Sequence, residues 1–319
     1  MNVLVTGATG FVGSRLVAAL RAMTDHDVTV LVRDADDYEP PDDGITVAEG
    51  DVLEEGSFED ALEGIDVAYY LIHTMGSGDE DLIAQDRRAA RNFERAATDA
   101  GLERIIYLSG LGDENEQLSE HLASRRLVES ELQAGSAEVT VLRAAIIIGG
   151  ESASFQIVRQ LAKRLPVMVT PRWVHVECQP IAIDDVIAYL LAVLERSETT
   201  GETYEIGGPD VLTYGEMLRT TAKIASGWEP VIVPVPVLTP TLSAYWVDLV
   251  TNVDPQVAHR LIEGMVNPVV VEDDRLRELV GVDPTPFEDA VRSALAEEVT
   301  LDGDTLESGL PDEGRPLEE

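Results

Sequence analysis

Cysteine and lysine are nearly absent from this chain. Only one of the 319 residues is cysteine, so Cys178 has no partner for an internal disulfide, and we expect a reducing, cytoplasmic setting. The only lysines are Lys163 and Lys223, so almost all of the 23 basic residues are arginine. No run of 18 uncharged apolar residues occurs, and we therefore expect no transmembrane helix. No Cys/His cluster indicates a metal site.

Positive charge is also scarce overall. Sixty acidic residues against 23 basic ones give a net charge of −37, and the acids are spread along the whole chain. No basic face is visible, which disfavours nucleic-acid binding. The charge and the loss of lysine are typical of a halophilic protein that folds in molar salt. An acidic patch for a basic partner is the alternative, but it would concentrate the acids in one region.

A glycine-rich turn stands at the start of the chain. Gly7, Gly10 and Gly13 form Gly-x-x-Gly-x-x-Gly directly after a short apolar strand. An amphipathic helix is predicted over Phe11–Met23, and a second apolar strand follows at Val28–Val32. Such a turn lets the backbone approach a pyrophosphate, which the helix N-terminus then binds through free N–H groups. We therefore predict a dinucleotide site that includes Thr9, Phe11 and Val12 beside the glycines.

The end of the second strand bears on cofactor choice. An NAD enzyme usually has an acidic residue there, which binds the ribose hydroxyls. Here Arg33 comes first, where a guanidinium can bind a 2′-phosphate, with Arg15 as a second candidate. Asp34 follows and keeps NAD as the alternative. The sequence thus favours NADP, unless Arg33 is simply one more surface arginine.

The phrase Val-Thr-Gly-Ala-Thr-Gly-Phe-Val-Gly resembles the extended and atypical short-chain dehydrogenase/reductase superfamily. Further strands match that family at 66–73, 104–110 and 139–143. The resemblance implies an α/β fold, a doubly wound parallel Rossmann sheet with a small C-terminal substrate lobe. It also implies that Asp51 and Val52, after the third strand, meet the adenine.

The family's catalytic signature is missing. No tyrosine in this chain is followed four residues later by lysine, which disfavours alcohol dehydrogenation and sugar epimerisation. At the corresponding place stand His121 and Arg125, one helical turn apart, twelve residues after Ser109 at its strand end. Arg125 can bind the nicotinamide ribose as the family's lysine does, and an imidazole can act as a general acid. The other interpretation is that His121 and Arg125 only bind the cofactor or lie on a helix face.

The His-x-x-x-Arg pattern is closer to the atypical, NmrA-like branch. That branch includes isoflavone-reductase-like enzymes, redox-sensing regulators and a complex I accessory subunit that binds NADPH without turnover. By this analogy His73, after the fourth strand, lines the nicotinamide half, although a structural role is equally compatible. The expected function is NADPH-dependent reduction of a small organic substrate, and the rival is a non-catalytic cofactor-binding protein.

Three regions are predicted along the chain. Residues 1–210 form the Rossmann domain, 211–296 a mainly helical lobe, and 297–319 an acidic disordered tail. Loops within 150–180 are expected to contribute to the lobe, and Gly149–Phe155, Trp173 and His175 are candidates for substrate contact. The sequence is compatible with a monomer and with a homo-oligomer.

Overall fold

Parallel strands form the centre of the computed structural model, which describes residues 1–73, 82–112, 120–164, 167–170, 172–234 and 267–307. In chain order, the described strands are β1 (Asn2–Thr6), β2 (Asp27–Val32), β3 (Ile45–Glu49), β4 (Val67–Tyr70), β5 (Arg104–Gly110), β6 (Glu138–Ala144), β7 (Ile147–Ile148), β8 (Val167–Thr170), β9 (Glu177–Cys178), β10 (Ile181–Ala182), β11 (Thr203–Ile206), β12 (Leu212–Thr213) and β13 (Val231–Pro234).

Seven of these strands form the main sheet. Their order is β11-β6-β5-β4-β1-β2-β3, and every neighbouring pair is parallel. The chain reaches the edge of the sheet at β3 and returns to the other side of β1 at β4. In such sheets, ligands bind outside the carboxyl ends of the strands where the order reverses. The ends of β1, β2 and β4 therefore define the place to look for a site.

Helices cover both faces of this sheet. The described helices are α1 (Phe11–Met23), α2 (Leu82–Ala100), α3 (Glu120–Leu132), α4 (Ala153–Arg164), α5 (Ile183–Leu194), α6 (Tyr214–Ser226), α7 (Arg275–Val280) and α8 (Phe287–Glu307), with 3-10 turns at Glu59–Leu62, Arg172–His175 and Ser197–Thr199. Leu16 and Leu20 of α1 pack into one core together with α5. Phe93 of α2 packs into a second core on the opposite face. The predicted doubly wound α/β fold is confirmed.

A third core belongs to a smaller lobe. It combines Phe155 of α4, Met168 of β8, Met217 of α6 and Val291 of α8. The segment 150–180, predicted to contribute loops, thus supplies core residues to this lobe. Helix α6 begins with a capping box, because Thr213 accepts from the backbone of Glu216 while the Glu216 carboxylate accepts from Thr213.

The C-terminal helix differs from the sequence prediction. Helix α8 runs to Glu307, so residues 297–307 of the predicted disordered tail are helical, and 308–319 lie outside the described residues. The helix is fixed where it begins, since Asp210 accepts from the Phe287 N–H at 2.8 Å. Glu297 is fixed by Arg15 and Gly150, which periodicity alone does not reveal. None of the described helices is both long enough and apolar enough to cross a bilayer.

Candidate dinucleotide-binding site

The glycine turn joins β1 to α1 in a conformation that side chains oppose. Gly7 has φ +69°, and a Cβ on it would lie 2.7 Å from the carbonyl oxygen of Leu71. The Gly10 N–H closes the turn on the Gly7 carbonyl at 3.0 Å. A Cβ on Gly13 would lie 2.1 Å from that same carbonyl. Gly7 is therefore required by its left-handed backbone and by the close approach of Leu71 after β4, and Gly13 by the packing of α1 on the turn.

Gly10 is required for a different reason. Its φ of −82° suits any residue, and a Cβ there would meet only the Gly7 carbonyl oxygen, at 3.2 Å. Gly10 is exposed, as is Thr9. The space in front of this turn is thus open, and a ligand can approach the backbone closely.

The first turn of α1 offers hydrogen-bond donors. The Ser14 N–H donates to the Gly10 carbonyl at 2.9 Å, so the N–H groups of Phe11, Val12 and Gly13 precede the first N–H that finds an acceptor within the helix. Gly10 has no side chain with which to cap them. These N–H groups and the positive end of the helix dipole suit a pyrophosphate. A dinucleotide therefore fits this turn.

The end of β4 is tied to β1 beside the turn. The Thr6 hydroxyl donates to the Tyr69 carbonyl and accepts from the Leu71 N–H, both at 3.1 Å. These two bonds fix the chain at Leu71. His73 follows two residues later, is half-buried and is the last described residue before a gap. His73 therefore lies at the carboxyl end of the sheet, where a nicotinamide-side residue is expected.

The end of β2 places Arg33 in solvent. Arg33 is exposed and forms no ion pair with any described residue. The Asp34 carboxylate accepts a hydrogen bond from the Asp36 N–H at 3.0 Å. The carboxylate of Glu49, at the end of β3, accepts one from the Ala35 N–H at 3.1 Å. Sequence analysis did not single out Glu49, although its position as the last residue of β3 was a usable signal. Asp34 is engaged within its own loop, whereas Arg33 is available to a ligand.

Asp51 and Val52 form the turn after β3. One carboxylate oxygen of Asp51 accepts from the Leu53 N–H at 2.8 Å. Val52 is buried, and its carbonyl accepts from Asn92 of α2 at 2.9 Å. The turn is thus anchored from both sides at the edge where the family resemblance places the adenine.

Ser109 and Arg125 lie together at the end of β5. Ser109 is 4% exposed, and Arg125 donates from Nη1 to the Leu108 carbonyl at 3.2 Å. Burial lowers the pKa of the Arg125 guanidinium to about 9, so the group still carries its charge at neutral pH. His121 belongs to α3, but its side chain lies outside the described residues. The structure thus brings two of the three predicted catalytic residues together.

A carboxylate behind this pair was missed by sequence analysis. Glu129 of α3 accepts from Arg126 at 2.8 Å and from both Nε and Nη2 of Arg143 in β6, at 3.0 and 2.8 Å. Its side chain is only 6% exposed. The i,i+3 spacing of Arg126 and Glu129 was the available signal. These bonds join α3 to the end of β6 and hold the helix that carries Arg125.

No described tyrosine has the lowered pKa that would suit its phenol to proton transfer. Burial raises the pKa of every one of them: Tyr38, Tyr69, Tyr70, Tyr107, Tyr189, Tyr204 and Tyr214. Tyr107 interacts with the Ser109 hydroxyl but is buried against Tyr70, and its pKa lies well above the usual value. A family-type tyrosine needs the opposite shift, so Tyr107 does not replace the missing phenol.

Three residues predicted to contact ligands have packing partners in the structure. Arg15 was a second candidate for the 2′-phosphate, but its guanidinium is held by Glu151 at 2.9 Å and by Glu297 at 3.1 Å. Phe155, at the end of a candidate substrate loop, is fully buried in the core of the lobe. Trp173 packs edge-on against Tyr214, with ring centroids 5.9 Å apart. A sequence pattern does not distinguish these packed roles from ligand contacts.

Comparisons with known proteins agree with this geometry. A family model described as NAD(P)H-binding matches residues 7–172, just over half of the chain. A UDP-glucose 4-epimerase of Vibrio cholerae is 25% identical over 253 residues, covering 69% of this chain and 75% of the relative. Subunit 9 of the mitochondrial NADH dehydrogenase 1 alpha subcomplex of Arabidopsis thaliana is 28% identical over 235 residues, covering 70% of this chain but only 58% of that protein.

Solved structures share the fold. The crystal structure of a nucleoside-diphosphate-sugar epimerase from Staphylococcus aureus superposes with a TM-score of 0.74 at 20% identity, covering 91% of this chain and 99% of that one. The two proteins thus share their fold over nearly the whole of both chains.

Proposed function

Because the chain belongs to the NAD(P)H-binding family, we propose that it is an atypical reductase that uses NADPH to reduce a small organic substrate. The observation that carries this proposal is the glycine turn, where Gly10 leaves open space before three helix N–H groups. The pyrophosphate binds the N–H groups of Phe11 and Val12, and Asp51 and Val52 flank the adenine. We place the protein in the cytoplasm, in a cell that maintains high salt.

NADPH is the proposed cofactor because of Arg33. Its exposed guanidinium follows β2, where the adenosine ribose of a bound dinucleotide lies, and it can bind a 2′-phosphate bidentately. Asp34 is engaged with the Asp36 N–H and is less suited to bind ribose hydroxyls. NAD remains the alternative if Asp34 turns outward.

Ser109, Arg125 and His121 are the proposed reaction site. Bound NADPH supplies a hydride from C4 of the nicotinamide. Arg125 binds the nicotinamide ribose with a charge retained at neutral pH. Ser109 orients the substrate carbonyl or its equivalent, and His121, or a water that it orders, supplies the proton. His73 borders the nicotinamide from the end of β4.

The absence of a described tyrosine suited to donate a proton supports an alternative function. No described tyrosine has a lowered pKa, and the chain lacks Tyr-x-x-x-Lys. A protein that binds NADPH as a redox sensor, or to stabilise a complex, needs the glycine turn and Arg33 but no proton donor. The relative named as an NADH dehydrogenase subunit gives this alternative its support.

His121 separates the two functions experimentally. We expect His121→Ala to bind NADPH with wild-type affinity but to lose about 10²–10⁴-fold in turnover, as when a positioned proton donor is removed. Affinity is measured by calorimetry, and turnover by NADPH oxidation at 340 nm with a panel of aldehydes, ketones and enones. His26→Ala is the matched control, because His26 directly precedes β2 at the amino end of the sheet, where it pairs with Glu195. An equal loss of NADPH affinity would assign His121 to binding, and wild-type protein that binds but never oxidises NADPH would favour the sensor.

A further inference from the structure

A polar contact joins the C-terminal helix to the glycine turn. Oε2 of Glu297 in α8 accepts from Nη2 of Arg15 at 3.1 Å and from the backbone N–H of Gly150 at 3.2 Å. Both side chains are mostly buried, with 34% of Glu297 and 23% of Arg15 exposed. One carboxylate oxygen thus connects α8 with the first helix and with the loop that precedes α4.

Arg15 in turn contacts both the backbone and the ring of Phe11. Its Nη1 donates to the Phe11 carbonyl at 3.2 Å and to Glu151 at 2.9 Å. Its guanidinium carbon lies 4.4 Å from the centroid of the Phe11 ring, a cation–π geometry. Phe11 is therefore held both by its carbonyl and by its ring.

The Phe11 ring also lies close to Gly149. A Cβ on Gly149 would lie 2.5 Å from Cζ of Phe11 and 3.1 Å from Ile183. The glycine thus makes room for the ring, which contacts both Arg15 and the loop after β7. The Phe11 carbonyl, which Arg15 holds, shares its peptide plane with the N–H of Val12, so this contact also fixes the direction of that donor.

Phe11 is also the first residue of α1, so its N–H is one of the donors that face the proposed pyrophosphate. The direction of this N–H decides how well the donor meets a phosphate oxygen. A donor already held in place avoids part of the ordering cost of binding. The contacts from Glu297 to Arg15 to Phe11 are therefore placed to act on the dinucleotide.

We propose that Glu297 is a positioning residue for the dinucleotide, acting through Arg15 on Phe11, and that α8 is part of the cofactor-binding unit. This inference rests on the proposed NADPH binding. The helix has anchors of its own, because Thr285 binds Asp185 through its N–H at 2.7 Å and Phe287 binds Asp210. Removal of the Glu297 carboxylate therefore leaves α8 docked and tests positioning.

The test compares Glu297→Ala with Glu288→Ala. Glu288 lies on the same helix and pairs with Arg292 at 3.4 Å, with both side chains exposed, so its removal makes the same change of charge away from the turn. Calorimetry in molar KCl measures the Kd of NADPH and of adenosine 2′-monophosphate, which lacks the pyrophosphate. We expect Glu297→Ala to weaken NADPH binding by about fivefold, the low end of couplings between separate sites. Binding of adenosine 2′-monophosphate stays unchanged, and Glu288→Ala alters neither.

A double-mutant cycle identifies the route. Arg15→Ala and the double variant with Glu297→Ala should weaken NADPH binding to a similar extent, because both break the same contact. Additive losses, or equal loss for adenosine 2′-monophosphate, would overturn the positioning role. Wild-type affinity in Glu297→Ala would overturn this inference alone, whereas failure of the wild type to bind NADPH would overturn the proposed function and the inference with it.

Discussion

A side chain added at Gly13 and one added at Gly10 should have different consequences for the protein. A Cβ on Gly13 would lie 2.1 Å from the Gly7 carbonyl oxygen, and Cβ contacts below 3.0 Å are essentially never seen. The helix must therefore move away from the strand by about 0.9 Å, the difference between those two distances. Overpacking of this kind costs about 1–3 kcal/mol, and the gain from alanine in a helix offsets only about 0.5–1 kcal/mol of it.

Gly10 gives the matched comparison. Its Cβ would meet a single atom, at 3.2 Å, in an ordinary backbone conformation. Gly10→Ala should therefore fold normally, with a change of about 0.5 kcal/mol at the helix N-cap. The added methyl group nevertheless projects into the space where the pyrophosphate must approach, so NADPH binding should collapse. Gly10→Val should have the same effect more strongly.

Thermal unfolding and calorimetry in molar KCl distinguish these outcomes. The net cost of about 0.5–2 kcal/mol should lower Tm for Gly13→Ala by about 1–8 °C, using about 2–4 °C per kcal/mol for a large domain. Gly10→Ala should stay within about 2 °C of the wild type on the same scale but lose NADPH affinity. Equal stability of the two variants would refute the packing argument. Wild-type NADPH affinity in Gly10→Ala would refute the assignment of the site.

Three further results are expected. Arg33→Ala should weaken NADPH binding by about tenfold to a hundredfold, the loss of one charge-assisted phosphate contact, and leave NADH nearly unchanged; a parallel loss for both cofactors would remove Arg33 as the discriminating residue. Cys178 should resist iodoacetamide at pH 8, because burial raises the pKa of its thiol to about 11, and should react once guanidinium unfolds the chain; labelling of the folded protein would contradict this. The net charge of −37 should make Tm rise between 0.05 and 2 M KCl, since the Debye length falls to about 3 Å at 1 M; a flat or falling Tm would instead favour a basic protein partner.

The local parts of the fold and site were predictable from the sequence. Helix α1 begins and ends at the predicted residues, Phe11 and Met23, because a glycine turn, apolar periodicity and the following strand all agree there. The end of β5 with Ser109 was predictable for the same reason, since short apolar runs at βαβ spacing have few alternatives. Periodicity and turn chemistry are properties of neighbouring residues, and a sequence displays them directly.

Contacts between distant residues were not predictable. Arg15 and Glu297 are 282 positions apart, and neither spacing nor composition pairs them. The same ion pair makes Arg15, a cofactor candidate in the sequence, a structural link to α8. Glu129 likewise acquires its role only when β6 brings Arg143 to α3. Such pairings depend on the assembled fold, which one-dimensional patterns do not encode.

A crystal structure grown with NADPH in molar KCl tests the central claim most directly. It should show pyrophosphate oxygens on the N–H groups of Phe11 and Val12, the 2′-phosphate on Arg33, and the nicotinamide ring beside Ser109 and Arg125. An enclosed cleft there, with the His121 side chain pointing into it, is the result expected for a reductase. NADPH bound away from the glycine turn, or a nicotinamide cleft filled by the protein's own side chains, would contradict the account.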